Sequence, residues 1–175
     1  MNLAAHKLES QALVYQDMES PVGRLRLIES GESLVGIWFE SGRDAARNPA
    51  TMLNKPSGLL VRVRCQLEEY FAGLRREFDL PLSPAGTDFQ LRVWRRLIQI
   101  PYGETTTYGA LAADLGNPNA SRAVGLANGS NPIPIVIPCH RVIGADGTLT
   151  GFGGGLPVKS ALLELERAQW QPRLF

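Results

Sequence analysis

Two cysteines and two histidines are all that 175 residues contain of the side chains that most often bind metals or attack carbon. So few cysteines exclude a disulfide scaffold and a four-cysteine zinc site, and they leave Cys65 and Cys139 as free thiols. Net charge is equally scarce: 18 Lys+Arg against 17 Asp+Glu leave +1, so total charge advertises neither a nucleic acid nor a membrane. The halves barely differ, with 10 basic and 11 acidic residues before Asp88 and 8 against 6 from there on. Long apolar runs are missing too. None approaches the ~20 residues that cross a bilayer, and Met1 to Ser10 lacks the apolar centre of a signal peptide. A soluble cytoplasmic protein is expected.

What is present is a hydrophobic share of 44%, enough for a core that needs neither metal nor disulfide. From Leu13 to Phe39 short alternating runs are punctuated by Pro21-Val22-Gly23 and Ser30-Gly31-Glu32-Ser33, the pattern of antiparallel strands joined by turns. The pattern weakens between Ser41 and Ser57. Leu59, Leu60, Val63, Leu67, Tyr70 and Phe71 then recur at helical spacing up to Gly73, with Cys65 expected as a buried structural thiol inside that helix. A strand is expected near Glu77 to Leu80, and Pro81 to Gly86 reads as a linker. The boundary placed there divides the chain into 1–85, a small sheet with helices, and 86–175, mostly helical; the fold class is α+β.

The second half is well punctuated. Thr87-Asp88-Phe89-Gln90 forms a capping box before the face Phe89, Val93, Trp94, Leu97, in a helix that should end near Pro101. Thr106 or Thr107 caps a second helix carrying Tyr108, Leu111, Ala112 and Leu115, closed by Gly116. Asn117-Pro118 offers the start of a third, Asn119 to Asn128. Two helices joined by so short a turn resemble a helix-turn-helix. Ala123, Gly125 and Ala127 would let the third helix lie close to a groove, or equally pack tightly on its own neighbours.

Chemistry points to Asn131-Pro-Ile-Pro-Ile-Val-Ile-Pro-Cys-His-Arg-Val-Ile-Gly144. Pro138 holds Ile137 extended and limits its own φ, so the backbone presenting Cys139 is stiff. A thiol of ordinary pKa ~8.5 needs a base or a positive field to ionise near neutrality, and His140 and Arg141 offer both. In an extended segment adjacent side chains point apart, so contact between Cys139 and His140 needs a turn or a bridging water. The blander reading is a core cysteine beside an exposed histidine. A cysteine hydrolase would also use Cys and His, but with a histidine from a distant part of the chain, and only His6 remains for that.

The segment Ile137-Pro-Cys-His-Arg-Val142 resembles the signature of the O6-alkylguanine-DNA alkyltransferases. The resemblance extends through Phe89-Gln-Leu-Arg-Val-Trp94, Ile100-Pro-Tyr-Gly103, Thr107 to Ala112, Arg122-Ala-Val-Gly125, Asn128-Gly-Ser-Asn-Pro132 and Lys159 to Glu166. It implies a C-terminal winged helix-turn-helix-like unit and irreversible transfer of an alkyl group from O6-alkylguanine, with O4-alkylthymine a further substrate, in flipped-out DNA. The acceptor would be Cys139, and the reaction stoichiometric. By the same resemblance His140 matches the base acting through water, Glu166 the carboxylate that orients it, and Asn131 the brace of the active-site turn. Arg122 matches the residue that fills the gap left by the base, and Tyr108 the one that pushes the phosphate. Ala123, Gly125, Ala127, Asn128 and Arg141 join them at the DNA, with the third helix in the minor groove.

Val142, Phe152 and Gly153 match the guanine pocket. Two departures stand out, since the family usually carries Tyr at position 152 and a hydroxyl or small residue at 153. The expected partner is double-stranded DNA bearing the lesion, bound by a protein that is monomeric in solution. No metal, organic cofactor or membrane is implied.

Overall fold

The computed structural model describes residues 12–41, 44 and 52–169, so His6 lies outside the described residues. Strands β1 (Val14–Met18), β2 (Leu25–Ser30) and β3 (Ser33–Phe39) form the expected antiparallel meander. Period-two alternation decides its faces: Leu25 and Leu27 are fully buried, while Arg26 between them turns outward to pair with Asp17 at 2.7 Å. A fourth strand, β4 (Leu53–Asn54), joins the outer edge parallel to β1, giving the order β3-β2-β1-β4. It lies within the stretch where the sequence pattern fades, because both its residues are exposed and carry no burial period.

Helix α1 (Gly58–Phe71) starts where Ser57 accepts a hydrogen bond from Leu60 N and covers the sheet with Leu60, Val63, Leu67 and Tyr70. It stops before Gly73, whose φ of +75° favours glycine. Cys65 is exposed rather than buried: two residues past Val63, at 3.6 residues per turn, it falls on the far side of the apolar stripe. The strand expected at Glu77–Leu80 lies further on. Leu34 N donates to Pro81 O (2.9 Å) and Ser83 N to Leu34 O (3.0 Å), seating Leu82 alongside β3. Pro81 and Pro84 have no N–H to extend that pairing, so the contact is one bridge long, and the stretch read as a linker is partly fastened to the sheet.

Helix α2 (Asp88–Ile98) begins with the full Thr87–Gln90 capping box and buries Leu91, Val93, Trp94 and Leu97. A short strand β5 (Thr106–Thr107) leads into α3 (Tyr108–Asp114), capped by Thr107. At its end Gly116 N bonds to Ala113 O and Asn117 N to Ala112 O, with Gly116 at φ +82°, a left-handed closure. The third helix starts later than expected. Pro118–Ala120 form a 3₁₀ turn, Asn117 gives no side-chain cap, and α4 runs over Ser121–Gly129. Strand β6 (Val142–Ile143) pairs in parallel with β5, and α5 (Leu156–Gln169) closes the fold. Among the described residues no helix is long and apolar enough to cross a membrane.

One core joins the halves, running from Leu25 and Tyr70 through Trp94 to Ile137 and Leu162. A backbone bond, Ile37 N to Pro132 O (2.9 Å), ties β3 to the segment that leads to Cys139. Trp94 fixes the reading-helix candidate, since its buried indole Nε1 donates to Ala127 O in α4 (2.9 Å). Trp94→Phe should therefore lower unfolding free energy in urea by about 1–2 kcal/mol; an unchanged midpoint and slope would show that this clamp carries nothing.

Candidate active site

The chain does not pass Cys139 as an extended strand. Residues Cys139–Arg141 make a single 3₁₀ turn, entered from Pro138 and held by Arg141 N to Pro138 O (3.1 Å). That turn turns His140 inward. Its Nε2 lies 2.8 Å from Glu166 Oε1, with both side chains essentially unexposed. Two asparagines brace the loop: Asn131 Nδ2 donates to Ile137 O (2.8 Å) and its Oδ1 accepts from Ile133 N (3.0 Å), while Asn128 Nδ2 donates to Cys139 O (3.3 Å). Ile135, between Asn131 and Cys139 in the chain, holds φ +73°, a conformation costly for a β-branched side chain and stabilised only by its fixed surroundings.

Glu166 is the centre of the arrangement. Besides His140 it accepts from Tyr70 Oη (2.8 Å), from Arg141 Nε and Nη2 (2.9 Å each) and from Gly103 N (3.0 Å). Arg141 Nη1 donates further to Ile100 O at 2.6 Å. Burial pushes the Glu166 carboxyl up, but the hydrogen bonds of His140 and Arg141 and the guanidinium charge outweigh it and hold the group well below the usual carboxylate range. Burial lowers the basicity of His140 against the pull of Glu166, so the imidazole is neutral. A carboxylate only accepts, so Nε2 carries the ring proton and Nδ1 presents its lone pair. That Nδ1 is buried and has no hydrogen-bond partner among the described residues. Cys139 itself is buried, 4% exposed.

Between α3 and α4 on one side and residues 150–153 on the other lies a cleft of about 600 Å³, the scale of a small-molecule pocket. Tyr108, Arg122, Gly125 and Leu126 line one side, Phe152 and Gly153 the other. Gly125 faces Tyr108, and an added Cβ would sit 3.7 Å from its ring, an ordinary packing contact. Phe152 packs edge-on against both Phe39 and His140, with ring centroids 5.5 and 6.4 Å away. Val142, expected in the same pocket, is fully buried and does not line this cleft. On α4 the outward side chains are Arg122, Ala123 and Leu126, the last 74% exposed. Three residues expected at the DNA face inward instead. Ala127 (3% exposed) packs in the core, Asn128 (2%) braces Cys139, and Arg141 (5%) belongs to Glu166. A nine-residue helix must bury one side, and its period assigns 127 and 128 to that side.

Sequence patterns missed Tyr70, Thr150 and Lys159. Tyr70 sat among apolar helix positions with nothing to mark its hydroxyl. Lys159 carried a signal: 159, 162, 163 and 166 are the buried stripe of α5, and charged residues at its two ends are out of place on an apolar face. Among the described residues no cluster of His, Cys, Asp or Glu is arranged to hold a metal.

Two family models cover nearly all the described chain: the 6-O-methylguanine DNA methyltransferase ribonuclease-like domain over residues 13–84 and the DNA binding domain of the same family over 88–168. The chain belongs to the 6-O-methylguanine DNA methyltransferase family. The methylated-DNA–protein-cysteine methyltransferase of Haemophilus influenzae is 50% identical, covering 94% of this chain and 96% of its own. That of Methanosarcina acetivorans is 49% identical over 88% of this chain and 98% of its own. Among solved structures, Mycobacterium tuberculosis OGT in complex with DNA superposes with a TM-score of 0.83 at 48% identity, covering 89% of this chain and 94% of that one.

The buried cluster makes folding sensitive to acid. An unfolded chain protonates His140 near ~6.5 and Glu166 near ~4.3, whereas the folded protein resists both. Protons therefore favour unfolding as pH falls through the ordinary histidine range and, further down, through the carboxylate range. Glu166→Gln should cost about 3–5 kcal/mol at pH 7.5, because Arg141 stays buried without its counter-charge. Urea titrations from pH 8 to 4 check both; flat stability across that range, or a near-neutral Glu166→Gln, would contradict this account.

Proposed function

We propose that the protein repairs double-stranded DNA directly by moving the alkyl group of O6-alkylguanine onto Cys139. The observation that carries this reading is the rigid turn that sets a cysteine beside a neutral histidine whose acceptor nitrogen has no partner among the described residues and whose other nitrogen is fixed by a carboxylate. The division of labour we infer is a framework unit, 1–85, and a reacting unit, 86–175; the spans of the two family models, 13–84 and 88–168, support it.

A target carbon inside a duplex is out of reach, so the nucleotide must swing out at a cost of a few kcal/mol and enter the cleft. Arg122, exposed on α4, fills the vacated stack, and Tyr108 displaces the phosphate. His140 Nδ1 takes the thiol proton through a bridging water, with Glu166 stabilising the imidazolium through Nε2. The Cys139 sulfur donates its electron pair to the alkyl carbon, and the carbon–O6 bond breaks. Guanine leaves as an anion that takes up a proton. The product is a thioether, which water does not cleave, so each molecule reacts once. The reaction needs a reduced thiol, which favours a cytoplasmic site of action.

Intact mass and peptide mapping after mixing with a duplex containing O6-methylguanine should show one added methyl per protein, on Cys139, and none in Cys139→Ser. Repeated turnover, or methyl on another residue, would overturn the proposal. The cleft yields a second expectation. Phe152 offers no hydroxyl to a departing base and Gly153 leaves space beside it, so Phe152→Tyr should speed methyl transfer and Gly153→Ser should slow benzyl transfer more than methyl. Single-turnover rates on the two adducts measure this, and equal rates in all three proteins would refute it.

A further inference from the structure

Lys159, on α5, is fully buried, yet among the described residues it pairs with no carboxylate. Its Nζ donates to Val142 O at 2.6 Å and Thr150 O at 2.8 Å, two of the three bonds an ammonium can give. Buried charge without a counter-charge is costly, and cores normally exclude it. The charges around the turn show what is missing. From α5 comes the Glu166 carboxylate, neutralised by Arg141 from the turn; His140 is neutral, as are the phenols of Tyr70 on α1 and Tyr102 on the loop after α2. The sum is one positive charge, that of Lys159. The acidic group whose charge acts on Lys159 is Cys139, which opposes the loss of basicity that burial imposes on the ammonium.

We propose that Lys159 is a positioning residue whose ammonium, with its third N–H directed to the sulfur, is the counter-ion that stabilises the Cys139 thiolate formed when His140 takes its proton. The inference rests on the reading of Cys139 as the reacting atom. The same ammonium couples ionisation to the shape of the cleft. Val142 follows the reactive turn, while Thr150 carries the hydroxyl that donates to Tyr108 Oη at 3.0 Å, so one cation pins the turn, the strand and the loop facing α3. Lysine suits the place better than arginine, although 15 of the chain's 18 basic residues are arginine. A compact head with three divergent donors reaches two carbonyls and a sulfur on different sides, which a planar fork does not.

The test uses the full chain with Cys65→Ser, since Cys65 is exposed and would react too. The rate of iodoacetamide alkylation against pH reports the ionisation of Cys139. In Lys159→Met its midpoint should rise by about one pH unit or more, which is about tenfold in thiolate at neutral pH. Single-turnover methyl transfer should fall by a similar factor at pH 7 and recover as pH rises, a rescue that a merely structural defect would not show. Coincident alkylation profiles would overturn the proposal. If Lys159→Met does not fold, ¹⁵N-lysine NMR of the unsubstituted lysine protein decides. With only Lys7, Lys55 and Lys159 to assign, the Lys159 signal should titrate at lower pH once Cys139 is S-methylated, and an unchanged titration refutes the pairing. Absence of methyl transfer from DNA by the parent protein would instead remove the alkyl-transfer reading, leaving the alkylation profile to judge Lys159 on its own.

Discussion

A single buried carboxylate organises this molecule. Glu166 receives donors from α1, from the loop after α2 and from two adjacent residues of the reactive turn, so it joins elements far apart in sequence at one point. An unpaired carboxylate there would be prohibitively costly, and its partners must be placed before the interior can close. Arg141 supplies the balancing charge, which frees His140 from having to be protonated. Both the shape of the turn and the availability of a neutral base follow from that one electrostatic arrangement.

Around it the structure separates rigidity from access. The segment from Ile133 to Val142 is buried throughout, and its backbone is held by asparagine side chains and by β3, so the sulfur has little freedom to move. The cleft side is built from smaller and more exposed residues: Gly125, Gly151 and Gly153, with Arg122 and Leu126 projecting from α4. Helix α4 serves both. Its outer face is free to meet a partner, and its inner face carries Asn128 to the Cys139 carbonyl, so contact on one side is mechanically linked to the reacting atom on the other. Packing at native density transmits such displacements rather than absorbing them.

Much of the fold was legible in local pattern. The meander of β1 to β3 pairs strands that follow one another in the chain, and the capping box of α2, the Thr107 cap and the glycine closures of α1 and α3 are determined by residues within four or five positions of one another. Where local signals failed, a longer-range effect had taken over. β4 exists through pairing rather than pattern. Leu82, not Glu77–Leu80, meets β3, because the backbone of Leu34 offers its bonds there, and Cys65 is exposed because the stripe passes it by.

By itself the sequence determined which chemistry was possible: a stiffened Pro-Cys-His-Arg segment, too few cysteines for a disulfide scaffold or a four-cysteine zinc site, and a helix-turn-helix of small residues beside it. Only the tertiary structure decided how those residues act. Extended backbone would have sent Cys139 and His140 apart, and the 3₁₀ turn that unites their surroundings pairs with a carboxylate 26 positions away, which itself accepts from a phenol 96 positions from it. Likewise Arg141 reads as a surface cation in a string of letters, and becomes an interior counter-ion only when a buried negative charge is brought against it. Charge compensation in a dry core depends on distances in space, and no local periodicity encodes them.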